Sequence, residues 1–299
     1  MRMMLAVRRF LLGALPVAAL GVSAHAAAFE PLGYGAAAKA MGGAYVALAE
    51  DGTAAYWNPA GLALANERQV TASYEDLYGL NLLRYAAAGY THPNVGKGTL
   101  SAHLLHLDTQ GEANFFNYAE STYLLAYGRK LCQDCMSVGV GMRYYSAYAT
   151  GSETPIKGTG LGFDLGLLYR PFNDRLRLAL AWQDINRPRI DWSTGARDNL
   201  PYTIRAGVAG RLTTATDLSG QYDKRLGEPT VWRMGFAQRL LKDSLTLRAG
   251  MHRSGGQDQW GPTVGGGIRY KSFDFDYAWD ASNDLGNAQT LSMALRFGK

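Results

Sequence analysis

The chain has no stretch apolar for long enough to cross a bilayer as a helix, which takes ~20 such residues. Its longest apolar run, Phe10–Val22, falls short of that length. Cysteine is nearly absent: Cys132 and Cys135, in C-Q-D-C, are the only two among 299 residues. A zinc centre would need further ligands, and no second pair exists. A thioredoxin-like motif would need a strand leading into a helix, and the surrounding sequence supplies none. Charge of one sign is also scarce. Thirty basic against 25 acidic residues give +5. Without the first 26 residues, which hold Arg2, Arg8 and Arg9 and no acid, 27 basic face 25 acidic residues, or +2. So small an excess excludes a nucleic-acid partner.

Catalytic signatures are missing too. No Gly-x-Ser-x-Gly elbow occurs, and Gly33-Tyr-Gly35 follows no strand and lacks a phosphate-loop lysine. Beyond His25 the histidines are His92, His103, His106 and His252. His103 and His106 would face opposite sides of a strand. Asp274 and Asp276 would share a face as a carboxylate pair, but inward arginines such as Arg269 and Arg296 are their expected partners. The expectation is a protein that is not an enzyme and needs no cofactor and no metal.

The N-terminus has the order of a secretion signal. Arg2, Arg8 and Arg9 precede the apolar run, and Ala24-His25-Ala26 offers small residues for cleavage, with Ala26-Ala27-Ala28 as a second site. Residues 1–26 are therefore expected to direct export. An exported chain favours a local disulfide between Cys132 and Cys135, with free thiols as the alternative.

Glycine and aromatic residues, in contrast, are abundant: 36 glycines and 34 Phe, Trp and Tyr. Apolar and polar residues alternate with period two through most of the chain. Leu161, Phe163, Leu165, Leu167 and Tyr169 point one way; Gly162, Asp164, Gly166 and Arg170 point the other. Phe275, Tyr277 and Trp279 oppose Asp274, Asp276 and Asp280, and Leu291, Met293, Leu295 and Phe297 oppose Ser292, Ala294 and Arg296. About fourteen such segments occur, each near the ~9–11 residues that span a bilayer as a tilted strand. They start near Arg68, Leu83, Gly98, Ser121, Met136, Gly160, Arg175, Leu200, Thr216, Thr230, Ser244, Gly261, Phe273 and Ala288.

The connections alternate in length. Pro93–Gly96, Leu131–Cys135, Pro171–Asp174, Leu212–Ala215, Leu241–Asp243 and Lys271–Ser272 are short. Asp108–Tyr118, Ala149–Thr159, Ile185–Asn199, Lys224–Pro229, Ser254–Trp260 and Ala281–Asn287 are longer. Outer-membrane barrels have short periplasmic turns and long outer loops, which puts the cysteine pair on the periplasmic side. The polar face carries Arg143, Arg170, Arg177, Arg205, Arg211, Arg233, Arg248, Arg269 and Arg296. Between them lie Gly139, Gly141, Gly166, Gly207, Gly235, Gly250, Gly265 and Gly267. Glycine within a strand marks close approach of another backbone, so a plugged lumen is expected. The lumen-facing candidates are Arg143, Asp164, Arg170, Arg205, Arg248, Arg269, Asp274, Asp276 and Arg296. Tyr74, Tyr90, Tyr127, Tyr144, Tyr169, Trp182, Trp232, Tyr270 and Trp279 fall towards segment ends, as interfacial girdles do.

Residues 33–62 read G-Y-G-A-A-A-K-A-M-G-G-A-Y-V-A-L-A-E-D-G-T-A-A-Y-W-N-P-A-G-L. Asn58 can cap a helical turn, and Pro59 suits the first helical position, which needs no amide donor. This stretch resembles the plug, or hatch, of the PorV/FadL-like family of bacterial outer-membrane barrels. The residues that carry the resemblance are Gly42, Gly43, Asp51, Trp57, Asn58, Pro59, Ala60 and Gly61. Phe163–Pro171, Leu200–Val208 and Leu247–Gly250 look like recurrent strand phrases of the same family, and the chain's size is closer to its PorV/PorQ-like branch.

The expected fold is all-β: a transmembrane antiparallel barrel of about 14 strands with a short N-terminal plug containing helical turns. Residues 27–66 would form the plug, folded inward from about Phe29 to Leu64, and residues 67–299 the barrel. The resemblance implies a place in the cell outer membrane, among its lipids, after insertion by barrel-assembly machinery. It implies plug-gated transport of hydrophobic small-molecule cargo, with Gly42-Gly43 and Asp51-Gly52 as flexible points and Asn58-Pro59 as anchor. The alternative is a PorV-like adaptor for a secreted or secretion-system protein. Its surface would be loop Ile185–Asn199, with Ile190 and Trp192 exposed.

Overall fold

The computed structural model describes residues 28–298 except 78–81, 110–116, 133–134, 151–153, 256–258 and 284–285. The expected export signal, residues 1–26, lies outside the described residues. Three short helical pieces come first: α1 (Ala36–Ala40), α2 (Ala54–Trp57) and a 3-10 turn, Pro59–Leu64. No helix among the described residues is long and apolar enough to cross a membrane.

Strands follow to the end of the chain. They are β1 (Arg68–Leu77), β2 (Leu83–Val95), β3 (Gly98–Thr109), β4 (Tyr118–Lys130), β5 (Met136–Ala149) and β6 (Ile156–Tyr169). Next come the short β7 (Pro171–Asp174), β8 (Leu176–Gln183), and a small hairpin of β9 (Arg189–Trp192) and β10 (Arg197–Asn199). The remainder are β11 (Thr203–Thr213), β12 (Thr216–Arg225), β13 (Val231–Leu240), β14 (Leu245–Ser254), β15 (Gly261–Tyr270), β16 (Phe273–Asn283) and β17 (Gly286–Phe297).

Fourteen of these close into one antiparallel barrel. Each pairs with its neighbour in sequence, β1 pairs with β17, and β6 meets β8. Two expected connections are themselves partly strand. Pro171–Asp174 is the extended piece β7 rather than a plain turn, and Ile185–Asn199 contains the β9–β10 hairpin. Cys132 and Cys135 are joined as a disulfide in the short turn between β4 and β5, with Cα atoms 5.7 Å apart.

The two faces are inverted relative to a soluble barrel. Val140, Leu161, Phe163, Leu165, Leu180, Val208, Phe236, Leu247, Phe275 and Leu291 point outward and are exposed. Gln69, Thr91, Ser101, Arg143, Asp164, Arg177, Arg205, Gln221 and Thr263 point inward and are buried. An apolar exterior around a polar interior is the arrangement that lipid imposes, because the hydrocarbon solvates the outside and the protein must solvate the inside.

One seam departs from this regular wall. β5 and β6 are in register from Met136↔Tyr169 to Ala149↔Ile156, whereas β6 and β8 pair only from Leu165↔Trp182 to Tyr169↔Leu178. β8 stops at Gln183. Asp184 then takes a left-handed conformation, φ 56°, and turns the chain off the wall.

Candidate functional site

The lumen is filled by residues of the expected plug, and glycine explains how they fit. A Cβ on Gly139 would lie 2.1 Å from the Pro59 carbonyl carbon, and one on Gly166 would lie 2.2 Å from Asn58 Oδ1. On Gly207, Gly235, Gly250 and Gly265 it would likewise run into Val46, Met41, Gly42 and Ala40. The inward glycine stripe is therefore the seat of the plug, and the alanine-rich plug sequence is its counterpart. Gly141 and Gly267 face wall carboxylates, Asp164 and Asp276, instead.

Within the plug, Asn58 is buried and fully used. Its Oδ1 accepts from Ala60 N at 3.1 Å, and its Nδ2 donates to Val46 O at 3.2 Å and to Leu167 O on β6 at 3.1 Å. Pro59 starts the 3-10 turn, where no donor is required. Trp57 Nε1 donates to Tyr34 O at 2.9 Å, and Gly61 passes so close to Ala49 O that only a hydrogen fits. Asp51 Oδ1 accepts from Thr53 N at 2.9 Å. Burial pushes the Asp51 carboxyl up from its ordinary range, and the Thr53 bonds pull it partly back.

The expected flexible points are tethered. Gly42 and Gly43 have φ of 65° and 76°, as a paired-glycine turn requires. Gly42 N donates to Thr263 Oγ1, while Gly42 O accepts from Arg233 at 3.0 Å. Gly52 N donates to Gln69 Oε1 at 3.0 Å. Further bonds link Ala36 to Ser292, Tyr45 and Val46 to Gln221, and Tyr34 to Thr71 and His103. Lys39–Glu75 and Arg177–Glu50 add ion pairs at 2.9 and 3.0 Å. The plug is thus held all round the wall, which takes up polar groups that its own short helical turns leave unpaired.

The lumen-facing candidates do not converge on one site; the plug divides them. Towards the long loops, Arg143 Nε donates to Asp164 Oδ2 at 2.6 Å, and Arg205 lies over Tyr56 and Trp57. Towards the short turns, Arg248 pairs with Asp276 at 2.6 Å, and Asp274 with both Arg269 and Arg296. The expected pairing of the two aspartates with Arg269 and Arg296 therefore holds for Asp274, while Asp276 takes Arg248. These five residues line a cavity of about 710 Å³ beneath the plug. Arg170 is buried at the foot of β6, apart from both groups.

Sequence reasoning missed the seam. Ile185 N donates to Phe163 O at 2.9 Å, Asn186 Oδ1 accepts from Phe163 N at 3.0 Å, and Asn186 Nδ2 donates to Leu161 O at 2.9 Å. A loop residue and an amide side chain thus stand where a neighbouring strand would. Behind them, Phe29, Tyr145, Ile190, Leu200 and Trp192 form an apolar cluster. Ile190 was expected to be exposed and is fully buried, because the β9 segment folds onto Gly160 of β6, which leaves it room. Trp192 is partly buried and donates to Asp198 at 2.6 Å. An N-R-P-R-I segment, residues 186–190, after a short strand gives no periodic signal that would have announced this.

No family model matches the chain, and no curated protein matches it. Its fold is shared with solved outer-membrane channels. The Pseudomonas putida toluene transporter TodX superposes with a TM-score of 0.69 at 12% identity, over 90% of this chain and 100% of that one. A deltaS2 mutant of the TodX monoaromatic hydrocarbon channel gives 0.68 at 13% identity, with the same coverage of both chains. The likeness at such identities is one of fold, a closed fourteen-stranded antiparallel barrel.

Proposed function

We propose that this chain is an outer-membrane channel for small hydrophobic molecules, which enter at the long-loop end and leave sideways through the β6–β8 seam. The observation that carries the reading is the seam itself, where between the β6–β8 ladder and the short β6–β9 pairing at Gly158 and Thr159 only the Ile185 amide and the Asn186 side chain close the wall. Lipid excludes unpaired backbone, so a stretch bridged by one loop amide and one asparagine is the point where the wall opens at least cost. The apolar cluster around Ile190 lines the approach. The shared fold with a toluene transporter supports the substrate class, and the apolar exterior supports the membrane location.

Passage straight down by plug displacement fits less well. The plug is bonded to the wall on many strands, and the cavity beneath it is lined by charge. The plug serves in this reading as the floor that turns cargo towards the wall.

The test is a reversible lock. Phe163→Cys with Ile185→Cys bridges two residues already joined by a backbone bond across the seam, and Val140→Cys with Leu165→Cys bridges the fully paired β5–β6 edge. Toluene uptake is measured in cells whose own hydrocarbon channels are deleted. The seam lock is expected to abolish uptake until reductant is added, and the control lock to leave it unchanged. Full uptake through a verified seam lock overturns lateral release. No uptake by the unmodified chain overturns the channel itself.

A further inference from the structure

Two arginines approach the same tyrosine of the plug, and they are not equally provided for. Arg143 and Arg205 lie over the Tyr56 ring at 5.1 and 5.4 Å. Arg143 has Asp164 at 2.6 Å and also donates to Tyr56 O. Arg205 covers Trp57 as well, at 5.7 Å, and is only 3% exposed. Among the described residues its guanidinium has no carboxylate and no hydrogen-bond acceptor within reach, only the two aromatic faces.

The acids around it are already engaged. Asp223, its register partner on β12, is held by Arg233 at 2.7 Å and Gln221 at 2.7 Å. Lys39 holds Glu75 at 2.9 Å, Arg225 holds Glu228 at 2.6 Å, and Asp280 is engaged too. None of Arg205's nitrogens is sealed from both partner and solvent. They open into a cavity of about 230 Å³ at the long-loop end, which Leu32, Trp57, Leu77 and His252 also line.

A buried guanidinium without an anion is costly, and its planar fork of N–H donors matches a carboxylate. The cavity is smaller than the ~300–1,000 Å³ that holds drug-sized ligands, so a single ring fits where a long acyl chain does not. We infer that this cavity binds the carboxylate of a small aromatic acid, with Arg205 gripping both oxygens and Tyr56, Trp57, Leu32 and Leu77 enclosing the ring. The inference rests on the reading of the barrel as a channel for small apolar molecules, and adds that an acidic group is selected at its mouth.

The test uses the full barrel in detergent, with folding checked by heat-modifiable gel mobility. Benzoate, benzyl alcohol and toluene are titrated calorimetrically against the unmodified chain, Arg205→Met and Arg205→Lys. Benzoate is expected to bind the unmodified chain at least tenfold more tightly than benzyl alcohol. Arg205→Met removes that preference, Arg205→Lys restores part of it, and toluene binds all three alike. Equal binding of benzoate and benzyl alcohol by the unmodified chain overturns the inference without needing any variant to fold. Benzoate affinity unchanged in Arg205→Met overturns it too. Toluene uptake in cells with no benzoate preference sinks this inference alone. A benzoate preference without uptake of either compound leaves the site standing and sinks the channel.

Discussion

The two edges of β6 show how differently one wall can be closed. Towards β5, fourteen residue pairs run the full length of the strand; towards β8, five do. The first edge is made of backbone, where every N–H and C=O meets its counterpart on the neighbouring strand. The second is backbone at its foot and, at Phe163 and Leu161, a loop amide and one asparagine side chain. A backbone edge is cooperative, since each bond holds the register of the next. The second edge, between the β8 ladder and the two-residue pairing with β9, hangs on one loop amide and one side chain. The same barrel therefore contains a continuous edge and a sparsely bonded one, distinguished by what satisfies the hydrogen bonds.

The comparison breaks most severely if the lower wall is denied its plug. Gly139 on β5 and Gly166 on β6 are register partners, and both rest on Asn58–Ala60. Gly139→Val is expected to destabilise the barrel by about 3 kcal/mol or more, because its Cβ meets rigid backbone. Gly160→Ala, higher on β6, meets Ile190 Cδ1 at 2.5 Å and Arg189 O at 2.8 Å, both on the loop hairpin. That segment can shift, so the loss is expected to be clearly smaller, with the hairpin displaced. Denaturant unfolding of both variants in detergent decides; equal losses would mean that the upper edge is as rigid as the lower.

A smaller effect is expected at the plug's own anchor. Asn58→Ala removes the bond that caps the 3-10 turn and the bonds to Val46 O and Leu167 O, at a cost of about 2 kcal/mol. Asn58→Asp keeps the cap but sets a buried carboxylate against the Val46 and Leu167 carbonyls, so it should lose at least as much as Asn58→Ala. Thermal melting of the two variants beside the unmodified chain orders them. An Asn58→Asp as stable as the unmodified chain would show that Leu167 O does not hold the plug to β6.

Most of the wall was legible because period two survives wherever lipid lies on one side and plug on the other. Leu161, Phe163 and Leu165 had to alternate with Gly162, Asp164 and Gly166, and all fourteen strands could be read from such runs, although the expected starts Ser121, Gly160 and Leu200 miss the observed Tyr118, Ile156 and Thr203 by three or four residues. The plug was legible for a related reason: glycines are costly in strands unless backbone approaches them, and Gly139, Gly166 and Gly250 announced that contact. The seam was not legible. Its parts, Asp184, Asn186 and Ile190, lie in an aperiodic stretch, and their roles depend on a left-handed turn that brings the chain back to β6. Arg205 lay on the lumen face as expected. Its unequal standing with Arg143, however, depends on which arginine finds a carboxylate in three dimensions, and alternation carries no information about that.

The finest cut between the two edges is at Asn186 alone. Asn186→Ala leaves Phe163 N and Leu161 O without their partners while every β5–β6 pair stays intact. A neutral hydrogen bond contributes about 1 kcal/mol net, so global unfolding should scarcely move. Local opening should move more, because beside these two groups only the Ile185 N–Phe163 O bond and the end of the β8 ladder at Leu165 hold the register. The amide of Phe163 is expected to exchange with solvent deuterium several-fold faster, while those of Val140 and Met142 on β5 keep their protection. Toluene uptake should rise, since the seam would then stand open more of the time. Unchanged exchange at Phe163 would mean that the Ile185 bond suffices to close the seam, and that the asparagine only fills space.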